Sequence, residues 1–323
     1  MISLGTTHDT RIVRSSRRAW IGFILLGLAI YGLVYAAAER IVYAHGERNR
    51  LFMIATAPRE NYDFVILGAS HAMPLGFEEM NQRLEAALDA KIINLSIEGG
   101  GLVPARFVLD YFLALHRTKA VVYVLDSFAL ESRKWNEERI DDPKLLKRAP
   151  FDLALLKTMW AYPSMRDLLP GYVSGFYKIN DPDRFEPDVS DMEATEFHRA
   201  YRGNAYLDRE RMLYLHPGPR DEKIFEHYLA GFEDFATFLD SRGIRLIVIK
   251  PPVPKRVIEA VAGEADFDAR IHEILDRHRS QFRDFSEIGN QDAYFFDTDH
   301  LNRDGIVNFI DNSLADFLRK SGN

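Results

Sequence analysis

The sequence predicts an α/β fold: a parallel sheet sandwiched between helices in three layers, set behind one N-terminal membrane helix and interrupted by a helical insertion. Three observations predict it. Short apolar runs rich in β-branched residues alternate with helical stretches, the pattern of parallel strands buried on both faces. Residues 19–38 form an uncharged run of 20 residues. Residues 127–220 break the strand–helix rhythm over a span too long for a loop in a compact domain.

Composition narrows the functional class. The 323 residues carry 41 Lys+Arg against 48 Asp+Glu, a net charge of −7, and 47% of them are apolar. That balance lacks the basic face that nucleic-acid binding requires, so no nucleic-acid partner is expected. The chain contains no Cys, which excludes disulfides, thiolate nucleophiles, Cys-ligated zinc and iron–sulfur clusters. No cofactor is expected.

In order along the chain, residues 1–18 form a basic tail in which Arg11, Arg14, Arg17 and Arg18 outweigh Asp9. The run 19–38 follows. At 1.5 Å per residue it spans about 30 Å as a helix, the thickness of the hydrocarbon core of a bilayer. Arginines before it predict a cytoplasmic N-terminus, which places the remainder outside the inner membrane, in the periplasm. Ala36-Ala37-Ala38 offers a signal-peptidase site, but the run exceeds the usual apolar length of a cleaved signal, so an uncleaved signal anchor is the expectation. A charged juxtamembrane segment, 39–60, leads to the sheet.

Strands are expected at 63–67, 91–95, 120–125 and 244–249, with helices over 75–88 and 103–116 between the first three. Residues 61–126 and 221–323 then form one domain around the insertion at 127–220, which reads as a subdomain or lid. A last helix follows Asn302, a natural N-cap, with apolar residues at helical spacing from Ile306 to Leu318.

Three segments carry candidate chemistry. Ser70 follows the first strand in Leu67-Gly68-Ala69-Ser70-His71, where a glycine turn places a hydroxyl near a helix start. Asn94-Leu95-Ser96-Ile97-Glu98-Gly99 closes the second strand. Asp297-x-x-His300 precedes the last helix and offers a base with a carboxylate to orient it. His71, Asn94, Glu98, Asp126 and Ser127 are candidate substrate contacts. Asp297, Asp299 and His300 on one short turn make a poor metal site, so no metal is expected. Gly99-Gly100-Gly101 lacks the Lys-Ser/Thr pair of a phosphate loop. Lys250, Lys255 and Arg256 read as balancing acidic surface.

The order of these segments resembles the SGNH (GDSL-like) hydrolase superfamily, over about 62–126 and 244–323. The resemblance implies a flavodoxin-like domain with Ser70 as nucleophile, His300 as base and Asp297 as orienting carboxylate. It also implies an oxyanion hole from the amides of Ser70 and Gly99. The family's third block ends in Gly-x-Asn-Asp, whereas this chain has Leu125-Asp126-Ser127-Phe128, and Arg202-Gly203-Asn204 in the insertion is a poor substitute. An anchor together with an Asp-x-x-His-Leu-Asn ending is similar to the D-alanyl-lipoteichoic acid biosynthesis and alginate O-acetylation proteins. That likeness implies a membrane-anchored acyltransferase that O-acylates, and more narrowly O-acetylates, a cell-envelope polysaccharide beside a multi-spanning O-acyltransferase. The alternatives are an O-acetylesterase with the same residues and a catalytically silent scaffold or glycan-binding subunit.

Overall fold

The computed structural model describes residues 7–186, 194–261, 263–278 and 280–322, with side chains from residue 17 onward. The start of the basic tail, the Arg11 and Arg14 side chains, and Pro187 of the insertion lie outside the described part. Strands β1 (Asn61–Gly68), β2 (Ile92–Asn94), β3 (Arg117–Val124), β4 (Arg245–Lys250) and β5 (Gln281–Asp284) form one all-parallel sheet in the order β2-β1-β3-β4-β5. Four are the expected strands. The fifth, QFRD, has no apolar run to announce it, and as an edge strand it is largely solvent-facing.

Alternate strand residues feed two cores. Val65, Leu67, Val121, Tyr123, Leu246 and Val248 face one way. Phe64, Ile66, Val122, Val124, Ile247 and Ile249 face the other. Strand order reverses between β1 and β3, so their carboxyl ends diverge and leave a crevice, the usual ligand position in such sheets. Ser70 leaves β1 and Asp126 leaves β3 at this point.

Helix α1 (Thr7–His45) contains the expected membrane run and extends beyond it; within Arg17–His45 an 18-residue window reaches a mean hydropathy of 2.2 and is almost wholly exposed. It is long and apolar enough to cross a membrane. The juxtamembrane segment folds back as a short helix, Arg50–Thr56, capped by Asn49 and burying Leu51, Phe52 and Ile54.

The helix expected over 75–88 is a correction. Residues Ser70–Gly76 form a 3-10 turn, and α2 spans only Met80–Leu88. Pro74 lacks an N–H and its ring opposes a continuous α-helix. Helix α3 (Leu102–Leu115) is as expected within a residue. The insertion carries α4 (Leu153–Ala161), α5 (Leu169–Ser174), α6 (Phe176–Ile179) and α7 (Ala205–Leu215). The chain returns through α8 (Glu222–Ser241) and α9 (Glu264–Arg277) to α10 (Arg303–Phe309), where Asn302 Oδ1 accepts from Gly305 N at 2.9 Å. A π turn, Ile310–Leu314, continues it toward the C-terminus.

Candidate functional site

Gly68 ends β1 at φ +145°, and a Cβ there would sit 2.6 Å from Val124 O. Glycine is therefore required for the chain to turn away beside β3. That turn places Ser70 at the start of the 3-10 turn, buried at the mouth of the crevice. The opposite wall is the 295–301 loop, closed by a bridge between Phe295 and Leu301 and by Phe296 N donating to His300 O at 3.0 Å. Asp297 organises it. Its Oδ1 accepts the backbone N–H groups of Asp299 (3.1 Å) and His300 (2.7 Å), leaving Oδ2 for the imidazole.

A continuous hydrogen-bonded chain results. His300 Nδ1 donates to Asp297 Oδ2 at 2.7 Å, so in the neutral ring Nε2 carries the lone pair and accepts from Ser70 Oγ at 2.8 Å. Phe296 stacks on the His300 ring with centroids 5.6 Å apart, fixing its plane. Burial disfavours charge on His300, but Asp297 and then Asp299 outweigh it and raise its pKa. Asp297 is held below the usual carboxylate range: desolvation opposes its charge, and His300 overcomes it.

A second network abuts the first. His71 lies between two carboxylates, its Nδ1 donating to Asp126 Oδ1 at 2.6 Å and its Nε2 3.2 Å from Asp299 Oδ2. The latter contact is not aligned for a hydrogen bond and acts as an ion pair. Desolvation lowers the His71 pKa, yet Asp126 and Asp299 together raise it to about 10. Arg211, on α7, closes the network from the insertion. Its Nε donates to Asp299 Oδ2 at 2.8 Å, and Nη2 stands 3.5 Å from His300 Nε2, on the edge that also faces Ser70. Asp299 is held well below its usual range, burial being overcome by His300, Arg211 and His71.

The metal-ligating atoms of His71, Asp299 and His300 lie within 4.8 Å of one another. In this arrangement His71 lies between Asp126 and Asp299, and Asp299 accepts from the Arg211 guanidinium.

The expected substrate contacts separate into two groups. Asp126 and Ser127 line, with His71, a cavity of about 190 Å³ that runs over the ends of β3 and β4. Asn94 does not face it. Its Nδ2 donates to Ala72 O at 2.7 Å and its Oδ1 accepts from Ser96 N and Oγ, so it clamps the β1 and β2 loops together. Glu98 is also a correction: its side chain and carbonyl take Arg139, which ties down the insertion. Both residues sit beside the glycines in sequence, and sequence proximity does not fix where a side chain points. Gly99 has φ +58°, and Trp135 lies against it, 2.9 Å from where a Cβ would be. Ile97 N donates to Gly68 O at 3.0 Å and holds that loop beside the Ser70 turn. The amides of Ser70 and Gly99 have no hydrogen-bond partner among the described residues.

Lys250 is buried and paired with Glu264 at 2.5 Å and Asp268 at 2.8 Å, and Arg256 pairs with Asp208 at 3.1 Å. Asn204 caps α7 through Tyr206 N and Leu207 N, and so does not enter the site. Arg211 is the functional-site residue that sequence reasoning missed. Nothing in Arg209-Glu210-Arg211-Met212 distinguishes it from any surface helix, and its partner lies 88 residues away. No protein-family model matches this chain, and no curated protein matches it.

Proposed function

We propose that the chain is a membrane-anchored serine acyltransferase of SGNH type that O-acylates, and specifically O-acetylates, an extracytoplasmic polysaccharide. The observation that carries this reading is the Ser70–His300–Asp297 hydrogen-bonded chain, buried at the sheet's switch point. His300 Nε2 takes the hydroxyl proton as Ser70 Oγ attacks the carbonyl carbon of the acyl donor. The tetrahedral oxyanion meets the amides of Ser70 and Gly99, and Arg211 supplies a cation on the same edge of His300, where the family's third-block Asn is missing. The C–O bond to the leaving group breaks, His300 returns the proton to that group, and an acyl ester remains on Ser70. A sugar hydroxyl then gives its proton to His300, attacks the ester and leaves acylated, restoring Ser70–OH. Asp297 fixes the imidazole tautomer throughout and stays ionised.

Anchoring by α1 suits an acyl donor delivered at a membrane surface, and a multi-spanning O-acyltransferase is the proposed supplier. Water in place of the sugar would make the same residues an esterase. The test is labelling of the full chain, in detergent, with a fluorophosphonate probe read by intact mass. Single-site labelling of wild type that vanishes in both Ser70→Ala and His300→Ala is expected. A folded wild type that stays unlabelled overturns the reading in favour of a silent subunit.

A further inference from the structure

Helix α1 does not leave the apolar run alone. Tyr31 Oη donates to Ser174 O at 2.7 Å, and Gly175, at φ +74°, packs so closely on the Tyr35 ring that a side chain there would collide with it. Buried Lys178 pairs with Glu39, whose other oxygen accepts from Phe151 N at 2.6 Å. The insertion therefore docks along α1 from Tyr31 to Glu39, about 12 Å of helix.

That length has a consequence for depth. The uncharged residues 19–38 are bounded by Arg17 and Arg18 at one end and by Glu39 and Arg40 at the other. They match a hydrocarbon core of about 30 Å with no residues to spare. Tyr31 then lies about 10 Å inside the boundary. If the arginines snorkel and the register slides toward the N-terminus, Tyr31 still lies at its edge. Whatever touches Tyr31 shares its depth.

The insertion's surface is apolar at this place. Val173 and Phe176 flank the contacting Ser174–Gly175 pair and are 47% and 55% exposed; Leu153 and Trp160, seven apart and so on one face of α4, are 63% and 65% exposed. Phe151 stacks on Tyr172 and links α4 to α5. Exposed Arg166 donates to Trp160 O at 3.0 Å with its guanidinium 5.7 Å from the indole centroid, and Lys157 lies between Leu153 and Trp160. Indole and cation side by side is the composition favoured where hydrocarbon meets headgroups.

We propose that the face formed by α4, α5 and α6 is immersed in the bilayer interface at the C-terminal end of α1, a second membrane contact that fixes the height of the Ser70 site above the lipid. The inference rests on α1 crossing the membrane and is independent of the acyl-transfer reading.

Of the three tryptophans, Trp135 is buried, which leaves Trp20 and Trp160 as separable reporters. The full chain is reconstituted in phosphatidylcholine vesicles brominated at shallow or at deep acyl positions. In Trp20→Phe, shallow bromine is expected to quench Trp160 emission strongly, and deep bromine weakly. Trp160→Phe keeps Trp20 and reports whether α1 is inserted, while circular dichroism and the residual Trp135 emission report folding in both variants. Quenched Trp20 with unquenched Trp160 in folded samples overturns the proposal, whether water or a protein partner covers that face. Unquenched Trp20 overturns its premise.

Discussion

Two histidines lie with ring centroids 5.0 Å apart, both against Asp299, and their surroundings give them opposite roles. His71 has a carboxylate at each nitrogen and is locked as a cation, its pKa raised to about 10 by Asp126 and Asp299 against the cost of burial. His300 has a carboxylate at one nitrogen and a hydroxyl at the other, with Arg211 opposing its protonation. Three carboxylates, Asp126, Asp297 and Asp299, therefore face two fixed cations, His71 and Arg211. The cluster is one positive charge short. A proton arriving on His300 from Ser70 supplies that charge, so the surroundings favour the ion that the proposed reaction makes. A base needs both a free lone pair and a local charge deficit. His71 has neither.

The most severe way to break this contrast is Asp297→Asn. The amide oxygen can still accept the backbone N–H groups of Asp299 and His300, so the loop survives. His300 then loses the acceptor that fixes Nδ1 as the protonated nitrogen. Acyl transfer is expected to fall by about 10⁴ with little change in Tm, measured with an activated ester and a glycan acceptor. An equal loss of Tm would assign Asp297 to the fold alone.

Next in size is His71→Gln, which should cost stability before activity. It removes the cation between two buried carboxylates, a loss on the order of 3–5 kcal/mol. The sign follows from the direction of the shift. A folded-state pKa above the ordinary value of 6.5 gives stabilisation that is complete below pH 6.5 and is lost as pH rises toward about 10. The Tm gap between wild type and His71→Gln should therefore be widest near pH 6 and close toward pH 10. A pH-independent gap would mean that His71 acts through packing against Phe128 and not through charge.

These effects separate along the line between what the sequence expresses and what it conceals. β1, β3 and β4 were legible because burial on both faces demands apolar β-branched runs, and the Asp297–His300 turn because both partners lie within one loop. β5 was hidden, since an edge strand of Gln281, Phe282, Arg283 and Asp284 needs no such run. The start of α2 was misread because helical spacing around Leu84 and Leu88 extends smoothly across Pro74 and Gly76, which stop it. Ser70 follows the first strand as its sequence position implies and meets His300 Nε2, while Asn94 and Glu98, read as substrate contacts, hold loops together. The charge deficit that distinguishes His300 from His71 was illegible in principle. It depends on Arg211, 89 residues before His300 on a helix that tertiary packing alone brings to the site.

Arg211 also offers the finest test of the contrast. Arg211→Met removes a cation beside His300, and two consequences follow with opposite leverage on the mechanism. As an electrostatic contact to the oxyanion, its loss should lower the rate by about 10²-fold. As a neighbour that holds the His300 pKa down, its loss should move the low-pH inflection of the rate further up from its position above 6.5, because the base is then protonated over a wider range. Asp299→Asn should move the same inflection down, since Asp299 raises the pKa of His300. The measurement is kcat/KM against pH for wild type and both variants. Opposite displacements place both charges in the field that tunes the base. A rate loss in Arg211→Met with an unmoved inflection would confine Arg211 to the oxyanion, and the charge deficit at His300 would then have to come from the carboxylates and His71 alone.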